Sequence, residues 1–206
     1  MYGLVVSTAP TTEPLTTAEA KLHLRVDHSD EDTLIDNLIE AARNTIEART
    51  GRALITQTLD MYLDRFPYGA EPILLPRPPL VSVTSIVYTD SDGTANTTWT
   101  STNYIVSTSR EPGRVSLAYG VAYPATYYAP DVVRVRYVAG YGAASAIPEG
   151  LRAAMLLLIG HWFTNREAVV VGTIATALPF AVEALIQQYM VGDEFTCYGP
   201  ADLQTA

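Results

Sequence analysis

The sequence predicts an α+β protein in which a small antiparallel β unit is inserted between helical parts. Three observations carry this. Residues 1–52 and 147–190 hold apolar residues at helical spacing, residues 53–142 alternate and are rich in turn formers, and ten of the thirteen tyrosines fall in that middle stretch. The expected boundaries are 1–53 and 143–206 for the helical core and 54–142 for the β unit.

The first 52 residues read as helical. Thr16 and Glu19 in "LTTAEAKLHLR" have the spacing of a capping box, which starts a short helix running to about Arg25. A second helix is expected from about Asp30 to Thr50, with Leu34, Ile35, Leu38, Ile39, Ala42 and Ile46 on one stripe and Gly51 as its C-terminal cap.

The middle is expected to be strands joined by loops. "ITQTLDMYL", "VSVTSIVYTD", "NYIVST", "RVSLAYG" and "DVVRVRYVAGYG" are β-rich, and "FPYGAEP", "LPRPPL", "DSDGTANTT" and "REPGR" are turn-like. Helix resumes in "IPEGLRAAMLLLIGHWFTNREA", with Pro148 near its first position and an end near Asn165. A last helix restarts at Pro179, with Phe180, Ala184, Leu185 and Tyr189 on one face.

Bulk chemistry narrows the function. The chain has 206 residues, a formal net charge of −9 and a pI near 4.7, so general adhesion to nucleic acid is disfavoured. Its only cysteine, Cys197, excludes an internal disulfide framework. "MYGLVVSTAP" makes a poor signal peptide and "AAMLLLIGHWF" is too short to span a bilayer, so a soluble protein made in a cytoplasm is expected.

Candidate chemistry is weak. Asp27 to Asp32 place four acids and His28 together, but a calcium loop needs a turn glycine and a zinc site needs more converging ligands. The simpler expectation is a helix start, with Asp27, Ser29 or Asp30 as cap and Glu31 and Asp32 in the first turn. His161, with Glu167 near it in sequence, is a possible base but has no nucleophile motif beside it. Asp193 and Glu194 oppose a lowered pKa at Cys197. No enzymatic activity, metal or cofactor is expected.

The helix from Leu151 to Phe163 is apolar on nearly every side, so it must be covered all round, by the β unit or by other subunits. Subunit-interface or core roles are therefore expected for Leu34, Leu38, Ile46, Leu157, Trp162 and Phe163. The segment from Glu167 to Ala206 has five acids and no Lys or Arg, and it alternates charge with aromatic residues, a composition suited to ordering on a partner.

Three motifs, residues 14–54, 147–168 and 178–190, together resemble the head–tail connector (adaptor) proteins of long-tailed double-stranded DNA phages and prophage-derived particles. The β insertion places the chain with a larger subgroup. The resemblance implies a virion protein at the head–tail junction, assembled in the host cytoplasm. It implies a ring of twelve subunits beneath the portal, tail-side connector or stopper proteins as further partners, and DNA that passes through the channel without specific binding; no membrane is involved. It further implies that the C-terminal part meets the portal, through Phe180, Leu185, Tyr189, Phe195 and Tyr198. An acidic channel wall would let DNA pass. Two other readings stand beside it: an aromatic-rich β module that binds carbohydrate or a receptor, and a metal-dependent hydrolase.

Overall fold

A computed structural model describes residues 2–93, 96–166 and 180–192. In chain order its elements are β1 (Tyr2–Thr8), α1 (Thr17–Leu24), α2 (Asp32–Thr50), β2 (Gln57–Leu63), β3 (Ile73–Leu75), β4 (Leu80–Thr89), β5 (Asn96–Trp99), β6 (Tyr104–Ser107), β7 (Gly113–Leu117), β8 (Val133–Ala139), α3 (Glu149–Thr164) and α4 (Phe180–Ile186). The fold class is α+β. Two compact units divide the chain: a β unit from the described parts of 1–9, 56–140 and 191–206, and a helical unit from those of 10–55 and 141–190.

The β unit holds a five-stranded antiparallel sheet, ordered β1-β2-β8-β4-β5, and a three-stranded sheet, β3-β7-β6. Alternation decides the faces. In β8, Val133, Val135, Tyr137 and Ala139 are buried while Arg134, Arg136 and Val138 are only half-buried. Register carries that pattern across to Leu63, Met61 and Leu59 of β2. Ile73, Leu75 and Val115 give the smaller sheet its buried face. Tyr137 ties β8 to the residue that follows β3: its hydroxyl donates to the Pro76 carbonyl at 2.7 Å, and burial pushes the phenol's pKa up.

Strand β1 corrects the expectation that residues 1–52 are helical. Tyr2–Thr8 pairs antiparallel with β2 and forms an edge of the large sheet, with Val5 54% and Val6 51% exposed. Its β-branched residues prefer the pleated backbone, and its partner lies some fifty residues further on, beyond any local pattern.

In the helical unit, Ile35, Ile39, Ala42 and Ile46 of α2 share one buried cluster with Leu151, Ala154, Met155, Leu158 and Ile159 of α3, and Ala20 of α1 and Val182 and Ile186 of α4 join it. The capping box of α1 forms as expected: the Glu19 amide donates to Thr16 Oγ1 at 3.2 Å, and the Thr16 amide to Glu19 Oε2 at 2.8 Å. Gly51 closes α2 at φ 70° with its amide on the Glu47 carbonyl, a left-handed position where glycine carries no side-chain strain.

The start of α2 differs from expectation. Its N-cap is Glu31, with no side-chain cap bond, so Asp27, Ser29 and Asp30 do not cap it. The acids act instead through ion pairs: Asp32, in the first turn, receives Lys21 Nζ at 2.6 Å, and Glu31 receives Arg166.

Candidate functional site

The helical unit displays the residues expected to meet other subunits in three different environments. Ile46 is completely buried in its own unit's core. Leu38, Trp162 and Phe163 are half-buried, packed against that core. Leu34 and Leu157 reach the surface, 36% and 37% exposed. Along α3 the exposed positions Glu149, Ala153, Leu157 and His161 recur every four residues and so form one line. Among the described residues, packing thus leaves α3 a narrow exposed stripe that is half apolar, with Ala153 and Leu157 between Glu149 and His161. The expected all-round covering is incomplete within one chain.

The C-terminal helix is anchored rather than free. Val182 and Ile186 are buried, and Leu185 and Tyr189 pack on the core from a half-buried position. Arg52, itself buried, donates from Nε to the Tyr189 carbonyl at 2.5 Å and from Nη1 to the Tyr141 hydroxyl at 3.0 Å. The Tyr189 ring lies so close to Gly150 that a Cβ there would stand 3.0 Å from it. Phe180, by contrast, is 83% exposed. Phe195 and Tyr198 lie outside the described residues, as do Cys197 and Glu167.

Polar side chains fix the segment before α1 and the turn after α2. Arg43 donates from Nε to Glu13 at 2.7 Å. Glu47, buried, accepts the Leu54 amide at 2.7 Å. Arg152 donates to the Pro14 carbonyl at 2.6 Å and to Glu19. The bonds Glu19 accepts from the Thr16 backbone and side chain, then that from Arg152, hold its carboxyl below the usual glutamate range. These charges are committed to structure. Sequence reasoning found the Thr16–Glu19 box but not Arg52 or Arg152, because partners such as the Tyr189 and Pro14 carbonyls lie far away in the chain.

In the β unit, Arg136 grips the buried Asp60 with two bonds, Nε to Oδ1 at 2.7 Å and Nη2 to Oδ2 at 2.6 Å. The two residues face each other across β2 and β8. This is a paired, satisfied charge in a sheet.

Among the described residues no three His, Cys, Asp or Glu side chains come together to hold a metal ion. His161 is exposed, its Nδ1 lying 3.4 Å from the Asn165 side-chain amide. No described helix is long and apolar enough to cross a membrane.

The model of the head completion protein family matches residues 14–190. The chain belongs to the head completion protein family. All three motifs that resemble head–tail connectors lie inside this span. No curated protein sequence matches the chain. Among solved structures, this head completion protein is similar to a chain of the "Virion of native gene transfer agent (GTA) particle", at 27% identity and a TM-score of 0.75, over 92% of this chain and 95% of that one. A chain of the "Neck of empty GTA particle computed with C6 symmetry" matches at 27% identity and a TM-score of 0.74, over 92% and 96%. A chain of the "Neck of native GTA particle computed with C12 symmetry" shares the fold at 24% identity and a TM-score of 0.69, over 93% and 96%.

Proposed function

We propose that this head completion protein is a structural head–tail connector of a tailed, phage-like particle. It sits at the head–tail junction, forms a twelvefold ring beneath the portal, joins the capsid to the tail and continues the DNA channel. The observation that carries this reading is the near full-length likeness to chains of gene transfer agent virion and neck structures, where more than nine-tenths of both chains correspond. The symmetries named for those necks support a ring.

The chain's chemistry agrees with the role. A net charge of −9 repels DNA phosphates, so DNA slides past without specific binding. The helical unit supplies the ring's wall, with the Leu34 and Leu157 surfaces toward neighbouring subunits, and the β unit stands at the periphery. The C-terminal part from Phe180 onward meets the portal, with Phe180 as its freely presented aromatic. No catalytic step enters this role.

The test is native mass spectrometry of the purified chain, alone and with the portal, for the full chain and for one truncated after Met190. A portal-bound twelvefold species from the full chain, with portal binding weakened by truncation while the subunit stays folded, is the expected result. A strictly monomeric chain that ignores the portal overturns the reading.

A further inference from the structure

One end of the β unit carries a surface that the connector role does not use. The loops 64–72, 90–93 and 118–131 meet there. The Tyr123 hydroxyl donates to the Glu71 carbonyl at 2.7 Å, the Asp131 amide to Asp64 at 3.1 Å, and the Tyr127 amide to the Thr89 carbonyl at 3.2 Å. Beneath them is an aromatic floor. Phe66 and Trp99 are buried, and Tyr123 stacks on Phe66 with centroids 5.1 Å apart and rings 16° from parallel. The loops are thereby held in place before any partner arrives.

The same loops carry exposed tyrosines. Tyr119 and Tyr128 are fully exposed, Tyr68 is 65% exposed and Tyr127 about half. Isolated exposed apolar residues are ordinary, but four tyrosines on interlocked loops at one end of a β unit are the composition of a binding surface: large, rigid, amphipathic rings that lose little entropy on contact.

The charge of the same loops decides the partner. They carry five acids, Asp64, Glu71, Asp90, Asp92 and Asp131, against one base, Arg65, a balance of 1 − 5 = −4. Nucleic acid is repelled by this, and a neutral sugar can use the carboxylates as hydrogen-bond acceptors but gains no charge attraction. A guanidinium or ammonium group is satisfied twice, by a ring face and by a carboxylate. The unit already contains this geometry, with the Arg65 guanidinium 4.5 Å above the centre of the Tyr68 ring.

We propose that the loop end of the β unit, built on Tyr68, Tyr119, Tyr127 and Tyr128, docks an arginine- or lysine-bearing polypeptide surface of another protein. The proposal does not depend on the ring or the portal contact.

The experiment measures binding of a deca-arginine peptide to the full chain by calorimetry at low and physiological salt, with maltohexaose as the neutral-sugar arm. Tyr119→Ser with Tyr128→Ser removes the rings, and Asp92→Asn with Asp131→Asn removes two loop charges. Asp27→Asn with Glu40→Gln removes two exposed charges from the helical unit as the control. Each loop pair is expected to weaken peptide binding by about ten-fold or more with thermal unfolding unchanged, and the control pair to leave it within about two-fold. Equal weakening by the control pair, or none by the tyrosine pair, overturns the proposal. So does binding of maltohexaose in place of the peptide. A change of the chain's own native mass in the tyrosine pair makes the partner a second copy and overturns it as well.

Discussion

Arg52 and Tyr189, 137 positions apart, are joined by a 2.5 Å hydrogen bond from the guanidinium Nε to the backbone carbonyl. This bond secures the turn that follows α4 to the residue just beyond the Gly51 cap of α2. Because Arg52 is buried, its removal leaves the Tyr189 carbonyl and the Tyr141 hydroxyl without that donor. Arg52→Ala is expected to destabilise the chain by about 1–3 kcal/mol in a denaturant titration. The same variant should be cleaved near Tyr189 by limited proteolysis sooner than the wild type. Unchanged stability and unchanged cleavage would show that the bond holds nothing.

Asp60 makes stability depend on pH at the acid end. The two hydrogen bonds from Arg136, then the charges of Arg136 and Arg134, hold its carboxyl below the ordinary aspartate range. An unfolded aspartate takes up its proton near pH 3.9, about where free side chains titrate, while the folded one does so only at lower pH. The contribution is therefore complete above that value and is lost as pH falls through the folded pKa. Asp60→Asn should be less stable than wild type at pH 7 by about 1–2 kcal/mol, with the gap narrowing below about pH 4. A gap that is constant from pH 7 to pH 3 contradicts the assignment.

Gly113 is required by packing. A Cβ at this position would stand 2.5 Å from both Cβ and Cδ2 of Leu80, a buried residue whose Cβ cannot swing away. Gly113→Ala is expected to lower stability by about 1–3 kcal/mol through overpacking. Calorimetric unfolding of this single variant checks it.

Leu157 gives the cleanest probe of the ring. Its partial exposure means that Leu157→Asp is expected to keep the subunit folded, while at the proposed subunit contact the unpaired carboxylate would prevent association. Trp162→Asp should do the same while also lowering subunit stability, since Trp162 is packed on the core. Sedimentation of the Leu157 variant reports the result; a full ring with Asp at 157 removes this stripe from the interface.

The frame of α1, α2 and α3 was legible because each has a local mark: the Thr16–Glu19 box, the stripe through Ile35, Ile39, Ala42 and Ile46 with Gly51 behind it, and the apolar run after Pro148. Long alternating strands were legible too, β8 above all. Strands β1, β3 and β5 were not. Asn96–Trp99 is polar and lies in a stretch of turn formers, and its strand geometry comes from pairing with β4.

For the candidate surfaces, sequence found apolar residues but not their environments. Leu38, Leu157 and Ile46 read alike as members of apolar helix faces, yet one is half-buried, one exposed and one completely buried. The difference arises from which neighbouring helix covers each position, and no single-chain periodicity records that. Arginines with distant carbonyl partners, Arg52 and Arg152, are silent for the same reason.

The pairing of β1 with β2 bears on how the chain is made. Residues 9–56, 48 positions holding α1 and α2, separate the two strands, so β1 must wait for them to be synthesised before it has a neighbour. The α1–α2 pair must then wait through the whole of β2 to β8 before α3 can cover it. Each unit thus interrupts the other, and neither is complete while the chain is still short of α3. Late closure of both leaves valine-rich β1 and the apolar face of α2 uncovered during synthesis, the condition under which chains associate prematurely. A clean excision of the β unit must accordingly remove residues 1–9 along with 56–140, because β1 left alone would be an orphan strand.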